Sequence, residues 1–232
     1  DNIITCDFTT NTSLIFLDFV YSNVTSLDFS NCVSLKNIRL VYHNNLTSLD
    51  LSSNTSLTRV NCNNNNSLSS LDISTCSNLT YLNINGCNFS SISLTNNTLL
   101  EEIYCFNNNL TSLDLSNSPL LTQIYVYNNS LTDLDLRNIT VANVTRMHAY
   151  GNSALFCISV DDSTLATSLS ANPYGISLGT ESPLYTWQVP SNTIFSSNCN
   201  LLPKTFVPDD QFEAYLESSG WGDGISNNNY VW

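Results

Sequence analysis

Two histidines, His43 and His148, eight cysteines, and the adjacent carboxylate pairs Glu101-Glu102 and Asp161-Asp162 are the residues of this sequence best suited to covalent or acid–base chemistry. Neither histidine sits beside the sequence signature of a nucleophile or a metal site. Adjacent carboxylates on a strand point to opposite faces, whereas acid and base work requires groups that converge on one atom. No two cysteines have C-x-x-C spacing, which disfavours zinc. Catalysis is therefore not expected of this chain. The remaining chemistry is recognition, carried by tyrosines and a few arginines whose spacing is regular.

That regularity comes from the element that must position them. With Leu46 as the first residue of a turn, its equivalents are Ile3, Val24, Leu68, Phe89, Leu110 and Leu131, so seven consecutive turns of 21 or 22 residues fill residues 3–152. Each reads approximately L-T-S-L-D-L-S-x-N-x-x-L-x-x-L-x-C-x-x-N, and an eighth strand over residues 155–160 closes the array. A fixed period of this length, with leucines at fixed offsets, signals stacked turns rather than a globular core. Each turn holds two apolar alternations, such as Leu49-Asp50-Leu51 and Val60-Asn61-Cys62, and alternation of period two is what a strand with one buried face requires. The expected fold is mainly β: a leucine-rich-repeat solenoid with two short strands per turn, the second lining the concave side, a C-terminal cap, and a short terminal helix.

The motif L-T-S-L-D-L-S (residues 46–52 and 110–116) coupled to L-x-x-V/I-x-C-x-N-N (57–65 and 100–108) resembles the internalin- or BspA-like repeats of Bacteroidota surface proteins. Residues 155–162, Trp187 and residues 195–199 resemble the closing cap of such proteins, and T-F-V-P-D-D-Q-F-E-A-Y-L (205–216) resembles the opening of another repeat module. The resemblance covers nearly the whole chain. It implies export by the type IX secretion system, an extracellular or outer-cell-surface location, and membership of a longer polypeptide bearing a sorting domain. It names no ligand.

Charge narrows the partners. Six Lys and Arg against 19 Asp and Glu give a net charge of −13, which repels nucleic acid and anionic membrane surfaces. No run of 18 apolar residues is present and the N-terminus carries no signal stretch, so a mature or excised chain without membrane insertion is expected. Stacked turns turn each position into a column. Three columns face outward on the concave strand: Phe16, Asn37, Arg59, Tyr81, Glu102, Gln123, Arg146; then Asp18, Arg39, Asn61, Asn83, Tyr104, Tyr125, His148; then Val20, Val41, Asn63, Asn85, Phe106, Tyr127, Tyr150. Aromatics dominate the later turns, and Lys36, Arg39, Arg59 and Arg146, four of the six basic residues, lie on this strand. Tyr and Arg anchor interfaces. The expected ligand-binding set is Arg59, Tyr81, Tyr104, Phe106, Gln123, Tyr125, Tyr127, Arg146, His148 and Tyr150. Its partner would be an extracellular protein or a glycan, alongside other domains of the same polypeptide. Two competing readings are a rigid spacer, in which the tyrosines only stabilise the sheet, and an accessory binding domain of a secreted polysaccharide-degrading enzyme.

Other columns are structural. Ser22, His43, Asn65, Cys87, Asn108, Asn129 and Asn152 occupy a position where Asn would bond turn backbone that no sheet partner reaches, with Asn65, Asn108, Asn129 and Asn152 as the working members. Asp7, Asp28, Asp50, Asp72, Asp114 and Asp135 stack on the back. Such like charges need relief from hydrogen bonds or, less favoured, from Ca²⁺. No other cofactor is implied. Cys6, Cys62 and Cys105 replace buried leucine-type residues. Cys62 and Cys105 lie two turns apart, roughly 10 Å at the strand spacing, too far for a disulfide, and Cys32 and Cys76 fail likewise. Cys157 points away from the core in the closing strand and Cys199 ends the cap, so these two are expected to be bonded. Closing that loop would be worth on the order of 3–4 kcal/mol. The expected division is solenoid 1–160, cap 161–203, and a helical linker or the start of a further module over 204–232. Within the last, residues 208–218 read as a helix with Asp209 and Asp210 in its first turn and Gly220 as its stop.

Overall fold

A computed structural model describes residues 6–170, 186–191, 193–197 and 199. Residues 1–197 form one compact unit and 198–232 a second. The expected helix over 208–218 and the module beginning at 204 lie outside the described residues.

The described chain contains fourteen short strands: β1 (Phe16–Val20), β2 (Asn37–Val41), β3 (Ser48–Asp50), β4 (Arg59–Asn61), β5 (Ser70–Asp72), β6 (Tyr81–Asn83), β7 (Glu102–Tyr104), β8 (Ser112–Asp114), β9 (Gln123–Tyr125), β10 (Asp133–Asp135), β11 (Arg146–His148), β12 (Cys157–Ser159), β13 (Thr186–Gln188) and β14 (Ile194–Ser196). An eight-stranded sheet runs β1-β2-β4-β6-β7-β9-β11-β13; β14-β12-β10-β8 and β3-β5 form two back sheets. Every pairing is parallel and joins one turn to the next. The chain is thus a leucine-rich-repeat β-solenoid, as its period predicts.

The central residue of each three-residue strand points inward, as does Ile38 of β2, while Asp18 and Arg39 at the centres of β1 and β2 face outward. Ile38, Val60, Leu82, Ile103, Ile124 and Met147 stack in register as one buried column, joined at the end by Trp187. On the back, Leu113, Leu134, Ile158 and Phe195 stack likewise. Neither 24–29 nor 89–94 carries a back strand, so not every turn supplies the expected two. The later gap falls where the link between the ladder residue and the next turn shortens, from Asn65–Leu68 to Cys87–Phe89. The eight-stranded sheet keeps its register through that change, and the back absorbs it.

After each of the first seven strands of the long sheet the chain turns through a left-handed residue: Tyr21, Tyr42, Asn64, Gly86, Asn107, Asn128 and Gly151 all have φ between 53° and 70°. Asn and Gly tolerate that region. At Gly151, a Cβ would land on Asn128 Oδ1 and 3.0 Å from the Asn128 backbone nitrogen, so close approach as well as φ selects glycine there.

The cap continues the solenoid. After β12, Asp162 Oδ1 accepts the Leu165 amide at 2.9 Å, an N-cap contact that starts α1 (Ser163–Ser170). No helix is expected here from the sequence, in which Asp161-Asp162 stand as a carboxylate pair at the end of the segment that resembles a closing cap. Next, β13 adds an eighth strand to the long sheet and β14 a fourth to the back. The Trp187 indole is 1% exposed and its Nε1–H donates to the Val144 carbonyl at 2.9 Å. Cys157 and Cys199 are disulfide-bonded, as expected.

Candidate ligand-binding face

Two internal ladders hold the site's strands. In the first, Asn65 Nδ2 donates to Leu40 O (2.9 Å) and Cys62 O (2.8 Å), while its Oδ1 accepts the His43 amide. Asn108, Asn129 and Asn152 repeat this arrangement, their Oδ1 atoms accepting the Phe89, Leu110 and Leu131 amides, each at 3.0 Å. Cys87 takes the same place with a weak Sγ contact to Cys62 O. The second ladder, on the other flank, was missed in the sequence. Asn54 Nδ2 bonds Phe29 O and Cys32 O, Asn97 Nδ2 bonds Ile73 O and Cys76 O, and Ser118 Oγ bonds Asn97 O. Its signal was the polar residue three before each inward leucine at Leu57, Leu100 and Leu121.

His43 replaces asparagine in the first ladder and is fully buried. Nε2–H donates to Phe19 O at 2.8 Å and Nδ1 accepts from Ser22 Oγ at 2.6 Å, so the neutral tautomer satisfies both contacts. Burial holds the His43 pKa below its ordinary value of 6.5, against the opposing pull of its hydrogen bonds. The His148 pKa is also lowered, by burial first and then by Arg146. In both cases the unfolded chain binds the proton more readily. The stabilisation is therefore whole above about pH 6.5 and declines as pH falls below it. Thermal melts from pH 7.5 to 5 should show Tm falling, and His43→Asn, which supplies the usual ladder residue, should flatten part of that slope. An unchanged slope would count against the assignment.

The Asp column has a local explanation. Oδ1 of Asp7, Asp28, Asp50, Asp72, Asp114 and Asp135 accepts the backbone N–H two residues on, at 2.8–3.0 Å. Each carboxylate thus closes an Asx turn. The hydroxyl and backbone N–H of residue 74 hold the Asp72 carboxyl below its usual range, and Thr9 does the same for Asp7. No group of three or more metal-ligating side chains is found among the described residues.

The outward residues of the long sheet form the expected columns. Arg59, Tyr81, Glu102, Gln123 and Arg146 are consecutive register partners, as are Asn61, Asn83, Tyr104, Tyr125 and His148. In the third column, Phe106 and Tyr127 stack at 4.3 Å and 10°, and Tyr127 and Tyr150 at 4.6 Å and 11°. In the second, Tyr104 and Tyr125 stack at 4.7 Å and 13°, with Tyr81 tilted at 5.4 Å and His148 edge-on at 4.8 Å. The Arg59 guanidinium lies 4.0 Å from the Tyr81 ring centroid. Tyr104 Oη donates to Glu102 Oε2 at 2.8 Å and lies 3.3 Å from Gln123 Oε1, which Arg146 reaches at 3.4 Å. Burial, reinforced by the Glu102 contact, pushes the Tyr104 hydroxyl pKa far up, so it stays a donor. The structure therefore brings all ten candidate residues onto one face. A further stack, Tyr21 on Tyr42 at 4.6 Å, was not singled out in the sequence.

The other six cysteines are free thiols, five of them buried. Burial pushes the Cys105 thiol up to about 12 and Cys76 and Cys87 to about 11, and Cys62 is raised further. They act as small core side chains, some donating weakly to carbonyls, as Cys76 does to Leu51 O.

Fold and face together define a parallel leucine-rich-repeat solenoid with a continuous polar–aromatic surface. No protein-family model matches the chain, and no curated protein sequence matches it. Among solved structures, it is similar to the functional domain of InlJ from Listeria monocytogenes, which includes a cysteine ladder, at 21% identity and TM-score 0.46 over 83% of this chain. The chain spans 56% of that structure's length. It is also similar to a chain of an octameric complex of Latrophilin 3, Unc5D and FLRT2, the last contributing a leucine-rich repeat. That match has 12% identity and TM-score 0.42, covering 84% of this chain and 78% of the other. No helix among the described residues is long and apolar enough to cross a membrane.

Proposed function

We propose that the chain is an extracellular recognition module that binds a protein or glycan through the outer face of its eight-stranded sheet, within a larger surface or secreted polypeptide. The observation that carries this is the concentration on one face of two aromatic columns, with Arg59 and Arg146 exposed beside them. An aromatic surface of this extent, rimmed by polar groups, marks an interaction site. Export by the type IX system and attachment to further domains are proposed with it, on the sequence resemblance. Binding is proposed to need no cofactor, because the Asp carboxylates already accept backbone N–H groups.

The spacer reading is favoured by one observation, that the rings stack on each other and so stabilise the sheet unaided. The readings part at a triple substitution, Tyr104→Ser, Tyr125→Ser and Tyr127→Ser. Each lost stack should cost about 1 kcal/mol, leaving the chain folded by circular dichroism. Binding to immobilised extracellular-matrix proteins or to a glycan array should disappear. A folded triple variant that binds as the parent does would rule this face out as the binding surface, and a parent chain that binds nothing would favour the spacer.

A further inference from the structure

The packing of the rings restricts what they can hold, and we infer that this face takes an acidic polypeptide segment laid across the strands, anchored at its ends by Arg59 and Arg146. This rests on the proposed binding role of the face and names the partner. A saccharide ring docks by laying its C–H face on an open aromatic face. Here the faces are turned towards one another along the solenoid. Tyr127 is sandwiched between Phe106 and Tyr150, Tyr125 lies between Tyr104 and His148, and Arg59 covers Tyr81. Ring edges are left to face a partner, while the Tyr104 hydroxyl is already given to Glu102. An aromatic edge is the positive end of the ring quadrupole, so the surface suits a partner rich in carbonyl and carboxylate acceptors.

The arginines supply the charge logic. Among the described residues, Arg39 pairs with Asp18 and Arg137 with Asp135. Arg59 and Arg146 have no carboxylate partner among the described residues, although the chain carries 19 acidic residues. Both are exposed and stand in one column, four register steps apart. At about 4.8 Å per step that is roughly 19 Å, which about six extended residues span. Glu102, midway between them, is engaged by the Tyr104 hydroxyl, so the partner's carboxylates belong over the two ends.

The test measures binding of the intact chain to a poly(Glu,Tyr) copolymer, to heparin and to dextran by calorimetry. The copolymer should bind, with affinity falling about tenfold in Arg59→Gln and in Arg146→Gln, the loss of one charge-assisted contact each. Arg137→Gln, whose arginine is paired on the back, should bind as the parent does. Heparin binding without copolymer binding, no copolymer binding, or indifference to both concave-column arginines each overturns the inference. Suppose the serine triple variant loses a matrix protein or array glycan while the two arginine variants keep it: the binding face then stands and the acidic segment falls. If all variants keep that ligand, both fall.

Discussion

Asn65→Ala should lower the free energy of unfolding by about 4 kcal/mol, the largest effect expected of any polar substitution in the solenoid. Asn65 is 0% exposed and its carboxamide closes three backbone contacts: two carbonyls, Leu40 O and Cys62 O, and the His43 amide. Alanine leaves all three without that partner in a site closed to bulk water, and each buried group so stranded costs about 1–3 kcal/mol. For a chain of this size the change corresponds to a Tm shift of roughly 8–16 °C. Asn65→Asp separates hydrogen bonding from volume. It keeps the shape and an acceptor for the His43 amide, but loses the two donors and sets a charge against two carbonyls. It should be at least as damaging as alanine. An aspartate variant with parental stability by thermal and urea denaturation would show that the carboxamide donors are not what holds the turn.

The second large effect is expected at the end of the array. Trp187→Ala removes the last member of the inward column that runs from Ile38 to Met147, and should cost about 3–5 kcal/mol. The indole also satisfies Val144 O, and its ring lies 5.9 Å from that of Phe195, which belongs to the back. One side chain therefore ties both faces of the final turn. Loss of β13 and β14 would release the Ala149 amide from Gln188 O and the Val160 amide from Ser196 O, now bonded at 2.7 and 2.9 Å. Hydrogen exchange should accelerate first at Ala149 and Val160 and least around Val60. Trp187→Phe keeps most of the volume and gives up the hydrogen bond, so about 1 kcal/mol is expected. Uniform acceleration along the chain would argue that the cap is not a separate closing device.

The fold was legible because each repeat position is a column: the leucine at Leu46 and the alternation around Val60 fix strand, face and register together. The concave columns from Arg59 to Arg146 followed from counting alone. What escaped was whatever departs from the column rule or lies between columns. The Asn54–Asn97 ladder shares its column with Cys32 and Cys76, and reading those cysteines as disulfide candidates hid the asparagines' role. Helix α1 replaces the usual polar turn with S-T-L-A-T-S-L-S, whose start depends on one capping contact from Asp162. Tyr21 and Tyr42 occupy left-handed positions elsewhere filled by Asn or Gly, so propensity gave no reason to expect them there. The orientation of the concave rings could not be read from the sequence either. Columns fix which side chains are neighbours, whereas stacking angle depends on rotamers.

The first asparagine ladder is directional. Asn65 grips the carbonyl of Leu40, Asn108 that of Ile84, Asn129 that of Cys105 and Asn152 that of Val126; each reaches into the turn made before it. A chain emerging from a ribosome presents its turns in that order, so every new turn brings the clasp for a surface already synthesised. Assembly can then proceed one turn at a time from the N-terminal side without waiting for distant sequence. The solenoid is built to grow in the direction in which it is made.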